Sequence, residues 1–252
     1  RVNGFHIERK SIDARSSQIK VNITLDAFCD GEVPEKAAYS FNYQNVTGKP
    51  EILIVGAGPA GLFAALKLIE LGYKPIILER GKDVSARKKD IAELSRNNGL
   101  NLDSNYCFGE GGAGTFSDGK LYTRSKKRGD SSRVFQVFHY HGAQDEILYE
   151  AHPHIGSDRL PEVIKNIRKT IIDCGGEVLF EKRVVDFIIE NNAIKGVKTA
   201  DGNTFTSQAV ILATGHSARD IYETLHNNNI LLEAKGFAMG VRAEHPQSLI
   251  DS

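Results

Sequence analysis

The N-terminal region of the chain alternates between apolar and polar positions with a period of two. Residues 5–9 and 18–25 follow this pattern, and polar residues 13–17 separate them. Such alternation is typical of half-buried strands. Residues 38–43 form a third strand candidate, and residues 47–50 have the composition of a linker. We predict a small, mostly β or α+β module over residues 1–48, which leans on the rest of the chain because three strands bury little surface.

The pattern changes at residue 52. A continuous apolar run, Ile52 to Val55, is typical of a strand buried on both faces of a parallel sheet. Apolar residues then recur at helical spacing (Leu62, Ala65, Leu66 and Ile69) before Gly72 ends the helix. Residues 76–78 predict a second parallel strand. This strand–helix–strand order indicates an α/β fold.

Three glycines join the first of these strands to its helix with the spacing Gly-x-Gly-x-x-Gly. Gly56 permits a tight turn, Gly58 lets a pyrophosphate approach the backbone, and Gly61 lets the helix pack closely on the sheet. Glu79 follows about 20 residues later, where a carboxylate accepts hydrogen bonds from a ribose diol. The sequence therefore predicts an adenine dinucleotide site. The negative charge of Glu79 disfavours the 2′-phosphate of NADP, and Arg80 beside it weakens this repulsion. The strand–helix–strand unit alone does not distinguish NAD from FAD.

Downstream, the pattern predicts two more helices. The first is a charged helix over residues 82–96 with Val84, Ile91 and Leu94 on its inner face. The second begins near Asp158, a plausible N-cap, and ends at Cys174.

Strand candidates with turn residues between them follow at residues 177–180, 184–189, 193–199 and 205–206, and residues 209–213 form a third buried strand. We predict a three-stranded antiparallel excursion that returns to the parallel sheet. The resulting dinucleotide-binding domain covers residues 49–228, and residues 229–252 begin a further domain.

Residues 108–122 are unusually rich in glycine, with Thr115 and Ser117 between the glycines. A backbone of this kind passes close to a ligand and offers its N–H groups to it. The alternative is a flexible surface loop.

Composition limits the remaining possibilities. The 252 residues include 32 basic and 32 acidic side chains, so no polyanionic partner is implied and we predict no nucleic-acid partner. The basic cluster at residues 124–128 is interpreted as solvated loop, because no aromatic residues are interleaved with it for base stacking. No apolar run is long enough to span a membrane, and we predict no membrane partner.

Histidine and cysteine positions predict no metal site. His139, His141, His152 and His154 lie in one stretch, but no recognised ligand spacing includes them. Three widely spaced cysteines form neither a zinc pattern nor a disulfide framework, which favours a cytoplasmic protein. Cys107 precedes the glycine-rich segment without a nearby partner cysteine, and we interpret it as a buried or incidental thiol rather than a redox group.

The order of these motifs resembles that of flavoproteins of the glutathione-reductase superfamily. The shared features are the glycine motif at residues 55–61, the Leu-Glu-Arg-Gly at residues 78–81, the β-meander, and the strand that ends at Thr214 and Gly215. Residues 10–15, 111–121, 153–160 and 240–246 also resemble a bacterial group of uncharacterised FAD-dependent dehydrogenases. The resemblance touches nearly the whole chain and implies a Rossmann-like FAD-binding domain.

The resemblance also implies roles for particular residues. The pyrophosphate would lie at Gly56, Gly58, Pro59, Ala60 and Gly61, where the helix begins. Glu79 would bind the adenosine ribose, while Arg80, Gly81 and Val184 would surround the adenine. The glycine-rich segment would follow the ribityl chain and the flavin, and Thr214 and Gly215 would close over the cofactor. The residues implied within that segment are Gly112, Ala113, Gly114, Thr115, Ser117 and Asp118.

These flavoproteins usually complete the FAD site with a later Gly-Asp segment, which this sequence lacks after Gly215. We therefore expect a chain truncated before the end of its substrate domain. The predicted function is a FAD-dependent oxidoreductase (dehydrogenase) that transfers two electrons through the flavin. NAD(P)H is a possible donor, and no catalytic residue is identified. The alternatives are an NAD-dependent dehydrogenase and a non-catalytic dinucleotide-binding or RNA-associated module.

Overall fold

The computed structural model describes residues 2–29, 31–35, 39–97, 99–116, 119–122, 131–237, 240–241 and 243–251. Nine strands within these ranges form three sheets, of which one is parallel and two are antiparallel. The strands are β1 (Gly4–Asp13), β2 (Lys20–Phe28), β3 (Glu51–Val55), β4 (Lys74–Leu78), β5 (Glu177–Leu179), β6 (Val184–Glu190), β7 (Ala193–Thr199), β8 (Thr204–Thr206) and β9 (Val210–Leu212). The helices are α1 (Pro59–Glu70), α2 (Val84–Asn97), α3 (Ser132–Tyr140), α4 (Leu160–Asp173), α5 (Arg219–Asn227) and α6 (Gln247–Ile250).

The central sheet has the order β5-β4-β3-β9, and all its strands are parallel. Each face of this sheet carries its own apolar cluster. Ile54 and Ile77 pack under α1 and α4 on one face, whereas Leu53 and Leu78 pack with the antiparallel sheet and α5 on the other. Burial on both sides explains why β3 and β4 are apolar at successive positions rather than at alternate ones.

The antiparallel sheet, β6-β7-β8, lies between β5 and β9 in the sequence. The predicted α/β fold, with a parallel sheet and a three-stranded antiparallel excursion, is therefore confirmed. The strand candidate at residues 177–180 became β5, which pairs with β4 at the edge of the parallel sheet.

The predicted helices are present with small shifts at their ends. The charged helix became α2, in which Val84 and Ile91 are buried. The later helix begins at Leu160, and Arg159 rather than the predicted Asp158 is its N-cap. Helices α3 and α5, each of nine residues, were not predicted. In α5 the few apolar residues are interrupted by charges.

The N-terminal strands form an antiparallel hairpin, β1–β2, that bonds to the rest of the chain around Lys10. The Lys10 N–H donates to the carbonyl of Tyr149 at 2.8 Å, and the Ala151 N–H donates to the carbonyl of Lys10 at 2.9 Å. The expectation of a half-buried β2 is wrong, because every residue of this strand except Phe28 is exposed. Several apolar side chains of the hairpin are exposed, namely Phe5, Ile12, Val21, Ile23 and Leu25, and nothing in the described part of the chain covers them.

The segment after the hairpin departs from the prediction. The described part of the third strand candidate, residues 39–43, is not a strand. Phe41 and Tyr43 instead pack against the core beside Val46, which is fully buried. No observation tests the domain boundaries, which stay a prediction.

Candidate cofactor-binding site

A cavity of about 610 Å³ opens at the carboxyl ends of β3, β4 and β9. Ligands of open parallel sheets bind at this edge, and the volume lies within the range of small-molecule sites. Most of the residues implied by the sequence resemblance line this cavity. They are Gly56, Gly58, Pro59, Ala60, Glu79, Arg80, Gly112, Ala113, Gly114, Val184, Thr214 and Gly215.

Three of the other implied residues do not line this cavity. Gly61 is buried in α1, and Thr115 is buried behind the glycine-rich segment. Gly81 lines a smaller neighbouring cavity of about 400 Å³. Ser117 and Asp118 lie outside the described residues.

The turn from β3 into α1 explains two of the three motif glycines. Gly56 has a φ of +107°, and an added Cβ would lie 2.5 Å from the carbonyl oxygen of Ala213. A Cβ on Gly61 would lie 1.9 Å from the carbonyl oxygen of Gly56. Side chains are therefore excluded at both positions. These contacts account for the tight turn and the close helix packing that the sequence motif predicts.

The first turn of α1 is free of competing groups. Gly58 is the N-cap, Pro59 opens the helix, and the first turn contains no acidic residue. No side chain of the described residues caps this end. N–H groups at such an uncapped helix start bind anions, and the helix dipole adds to the attraction.

Glu79 is 4% exposed and holds three segments together. One of its carboxylate oxygens accepts hydrogen bonds from the N–H groups of Gly81 at 2.9 Å and Gly109 at 3.0 Å. The other accepts from the N–H of Ala57 at 2.7 Å. A carboxylate has about four acceptor positions, so about one remains free for a ligand hydroxyl.

Arg80 lies beside Glu79 and joins two further segments at the cavity wall. Its guanidinium donates to Asp103 at 2.8 Å and to Asp220 at 3.1 Å, and it lies 4.2 Å from the centre of the Phe108 ring. These carboxylates raise the pKa of Arg80, against the opposing effect of burial. The side chain is thereby held as a flat, cationic part of the wall.

Over residues 108–116 the glycine-rich segment is held by its own turn and by backbone contacts with the start of α1. These contacts argue against a flexible surface loop there. Gly111 is left-handed, and residues Gly112–Gly114 form a single 3₁₀ turn. The N–H of Gly111 donates to the carbonyl of Ala57 at 2.8 Å. A Cβ on Gly112 would lie 3.2 Å from the Cα of Gly58, so the two glycine motifs meet backbone to backbone.

Two buried charged residues lie behind this segment. Glu110 is fully buried, and its carboxylate accepts from the Val84 N–H at 2.7 Å and from Arg168 at 3.0 Å. Burial raises the pKa of Glu110 to about 7. Arg87 is also fully buried, and burial lowers the pKa of its guanidinium to about 10.

Several cavity residues escaped the sequence analysis. Lys182 and Arg183 precede Val184, and His216 and Ser217 follow Gly215, so their adjacency to implied residues was a usable signal. Phe108 and Gly109 likewise open the glycine-rich segment. Tyr222 and Leu225 reach the cavity from α5, and no local pattern marks them.

Cys107 is exposed and lines the cavity, so it is not a buried thiol, and its interpretation as an incidental thiol stays a prediction. The basic cluster at residues 124–128 lies outside the described residues. Within the described ranges, no group of three or more His, Cys, Asp and Glu side chains is arranged to hold a metal ion. The helices of those ranges include none with the length and apolar character that crossing a membrane requires.

The family profile of Glucose inhibited division protein A (GIDA) matches residues 51–245. The chain belongs to the GIDA family. GIDA proteins bind FAD, which confirms the expected cofactor and the resemblance to FAD-dependent flavoproteins. A second profile, a Domain of unknown function (DUF8436), matches residues 1–28, which include the β1–β2 hairpin.

The curated relatives of this GIDA chain are longer than the chain itself. An "Uncharacterized protein" of Clostridium beijerinckii is 40% identical over 267 residues, which cover 99% of this chain and 49% of that protein. The "tRNA uridine 5-carboxymethylaminomethyl modification enzyme MnmG" of Alkaliphilus oremlandii is 28% identical over 67% of this chain and 24% of that enzyme. The chain thus spans about half of the first relative's length, at 49%, and about a quarter of the second's, at 24%.

Solved structures show weaker similarity. The L-proline dehydrogenase from P. horikoshii has a TM-score of 0.47 and 16% identity, covering 71% of this chain and 56% of that chain. The GidA-related protein from Thermus thermophilus has a TM-score of 0.37 and 13% identity, covering 67% of this chain and 54% of that one.

The relatives correct one expectation. The exclusion of a nucleic-acid partner is wrong, because several curated relatives are named as tRNA modification enzymes. The exclusion rested on a net charge of zero. Net charge averages over the whole surface and does not report a local basic face, which is what a polyanion contacts.

The described residues fit FAD. Its pyrophosphate needs unpaired N–H groups at a helix start, and the uncapped α1 offers them beside glycines that leave room. Its ribose needs an acceptor, and Glu79 retains about one free acceptor position at the cavity wall.

Proposed function

We propose that this chain supplies the dinucleotide-binding part of a FAD-dependent oxidoreductase, and that FAD binds in the cavity at the carboxyl ends of β3, β4 and β9. The observation that carries this proposal is the meeting of Gly58 with Gly112 beside Glu79. One helix start, one glycine-rich turn and one ribose acceptor border the same cavity. Each supports a different part of a dinucleotide, and they come from segments far apart in the sequence.

In this proposal the pyrophosphate lies against Gly56, Gly58, Pro59 and Ala60, while Gly61 allows the helix to approach. Glu79 accepts from the adenosine ribose, and Arg80, Gly81 and Val184 lie on the adenine side. The flavin side is formed by Gly112, Ala113, Gly114, Thr214 and Gly215, with Ser117 and Asp118 retained as predicted contacts.

Bound FAD supplies two-electron transfer. The residues of this chain bind and orient it, and none is assigned as an acid or base. We propose NAD(P)H as the donor. In this proposal it would react directly at the flavin. We also propose a cytoplasmic location, in which this donor is available.

The absorbance spectrum of the purified full-length protein tests the cofactor, with the chromophore released by heat and identified by chromatography. We expect FAD. Anaerobic titration with NADH and NADPH then tests the donor by bleaching of the flavin band. A colourless protein that refuses added FAD and binds NAD would instead support the NAD-dependent dehydrogenase.

Modification of tRNA is a second candidate function. The names of the MnmG relatives favour it, at 28–30% identity over about two thirds of the chain (67–70%). Binding of bulk tRNA to the full-length protein, measured over a range of salt concentrations, tests it. A contact with phosphates predicts affinity that falls linearly with salt on logarithmic axes. Absence of tRNA binding at low salt would remove this candidate and leave the FAD proposal intact.

A further inference from the structure

Arg87 is the largest fully buried side chain in the described part of the protein, and it does not belong to the cavity wall. It lies in α2, a highly charged helix in which the adjacent Lys88 and Lys89 are exposed. Burying a guanidinium is costly unless its donors are bonded. Arg87 lies behind the glycine-rich segment, and the residues that line the cavity do not explain why a cation is buried there.

The donors of Arg87 bond to a short stretch of backbone, residues 105–110. The Nε donates to the carbonyl of Asn105 at 2.9 Å, and one terminal nitrogen donates to that of Tyr106 at 3.1 Å. The other lies 2.7 Å from the carbonyl of Glu110 and 3.3 Å from that of Gly109. The same nitrogen lies 3.2 Å from the hydroxyl of Thr115. No carboxylate is among the hydrogen-bond acceptors that the described residues provide to Arg87.

The same stretch forms part of the cavity wall on its other side, through Cys107, Phe108 and Gly109. Gly109 lies directly between the two: its N–H donates to Glu79, and an added Cβ would lie 2.4 Å from the Cδ of Arg87. Its φ of +115° also suits glycine. Arg87 and Glu79 thus hold this backbone from opposite sides.

The direction of the carbonyls matters for an anionic ligand. In a planar trans peptide the C=O and the following N–H point in opposite directions. Carbonyls that are drawn to Arg87 keep their partial negative charge away from the cavity, where they would repel a pyrophosphate. Thr115 extends this arrangement, because its hydroxyl lies 3.2 Å from the carbonyl of Glu110 and 3.0 Å from that of Gly112.

We propose that Arg87 is a positioning residue of the dinucleotide site: it fixes the backbone of residues 105–115 in the conformation that faces FAD. Thr115 acts with it and supports the cofactor without contact. This inference rests on the proposed function, because it assumes that the cavity holds FAD. It assigns a role in cofactor affinity to a side chain that lines no part of the cavity.

The test compares Arg87→Met, Arg87→Lys and Thr115→Val with the parent in the full-length protein. Lys88→Met is the matched control, because it removes an exposed cation from the same helix. Three quantities are measured: the Kd for FAD by flavin fluorescence, the visible circular dichroism of bound flavin, and the thermal midpoint of the apoprotein. Kd is measured well below each midpoint, so that loss of folded protein does not contribute.

We expect Arg87→Met to raise the Kd about 10- to 100-fold, since several charge-assisted hydrogen bonds are lost. Arg87→Lys should recover part of this, and Thr115→Val should raise the Kd about 3- to 10-fold. The visible dichroism should change in Arg87→Met and in Thr115→Val, whereas that of Lys88→Met should match the parent. If Arg87 only stabilises the fold, Arg87→Met should lower the thermal midpoint of the apoprotein and leave the Kd and the visible dichroism unchanged.

A Kd within about twofold of the parent in folded Arg87→Met would overturn the proposal. If Arg87→Met does not fold, an unchanged Kd in Thr115→Val overturns it instead. A parent that binds no FAD at all contradicts the proposed function and this inference together, and that result is visible before any variant is made.

Discussion

Gly112 packs directly against Gly58, and an added Cβ on Gly112 would lie 3.2 Å from the Gly58 Cα and 3.0 Å from the Cδ of Pro59. The φ of Gly112 is +71°, a conformation that L side chains rarely adopt. The start of α1 and the glycine-rich segment therefore approach each other this closely only while Gly112 lacks a side chain.

Gly112→Ala is expected to weaken FAD binding at least about tenfold and to lower the free energy of unfolding by about 1–2 kcal/mol, from strain and displacement of the segment. Titration of FAD and denaturant unfolding measure the two effects. Gly236→Ala is the control, because its φ is ordinary and its added Cβ meets nothing within 4 Å. Equal FAD affinity in Gly112→Ala and Gly236→Ala would contradict the proposed contact.

Glu79→Gln is expected to destabilise the protein even without cofactor. The amide retains one acceptor oxygen, so at least one of the N–H groups of Ala57, Gly81 and Gly109 faces an NH₂ group instead. Loss of a buried charge-assisted hydrogen bond costs about 1.5–3 kcal/mol. Unfolding of the apoprotein measures this, with the exposed Glu190→Gln as control. An apoprotein as stable as the parent would show that the carboxylate is not what joins these segments.

Glu110 makes stability depend on pH. Burial raises its pKa from 4.5 to about 7, so between these values the native state binds a proton that the unfolded state has lost. The Glu110 contribution to stability is therefore full below about pH 4.5, falls as the pH rises towards about 7, and is constant above. Glu110→Gln removes this titration, so its stability relative to the parent should increase over that window and then level off.

The difference between Glu110→Gln and the parent is the quantity to measure, because His141 titrates in an overlapping pH range. Burial lowers the pKa of His141 from 6.5, so its contribution is lost as the pH falls below that value. His141 is present in both proteins and cancels in the difference. A difference in unfolding free energy that stays constant from pH 5 to pH 8 would contradict the Glu110 assignment.

Substitutions on the outer face of the hairpin should be nearly neutral. Ile23 is 51% exposed in β2, and Ile23→Thr is expected to change the free energy of unfolding by no more than about 0.5 kcal/mol. Leu53→Ala, at a fully buried position of β3, is the contrast and should cost about 2–5 kcal/mol. If Ile23→Thr costs as much as Leu53→Ala in the full-length protein, another surface covers this face of the hairpin.

The elements that could be predicted from the sequence are those whose signal is local. The apolar run of β3, the glycines of the turn and the stripe of α1 lie within a few residues of one another, and each follows from backbone sterics or helical spacing. The parallel sheet and the antiparallel excursion were predictable for the same reason. The cavity residues inferred from the sequence also lie on or next to these local motifs.

Which polar groups find hydrogen-bond partners, and which side chains are buried, depends on contacts between segments that are distant in the sequence. Glu79 accepts from residues 57, 81 and 109, and Arg87 meets carbonyls at residues 105–110, so neither role can be found by examining neighbours in the sequence. In the sequence, nothing distinguishes Arg87 from the exposed cations beside it in α2. It is buried by its contacts with the glycine-rich segment. Strand alternation likewise predicts a hydrophobic face for the hairpin, but burial depends on what lies opposite, and that is a property of the folded chain.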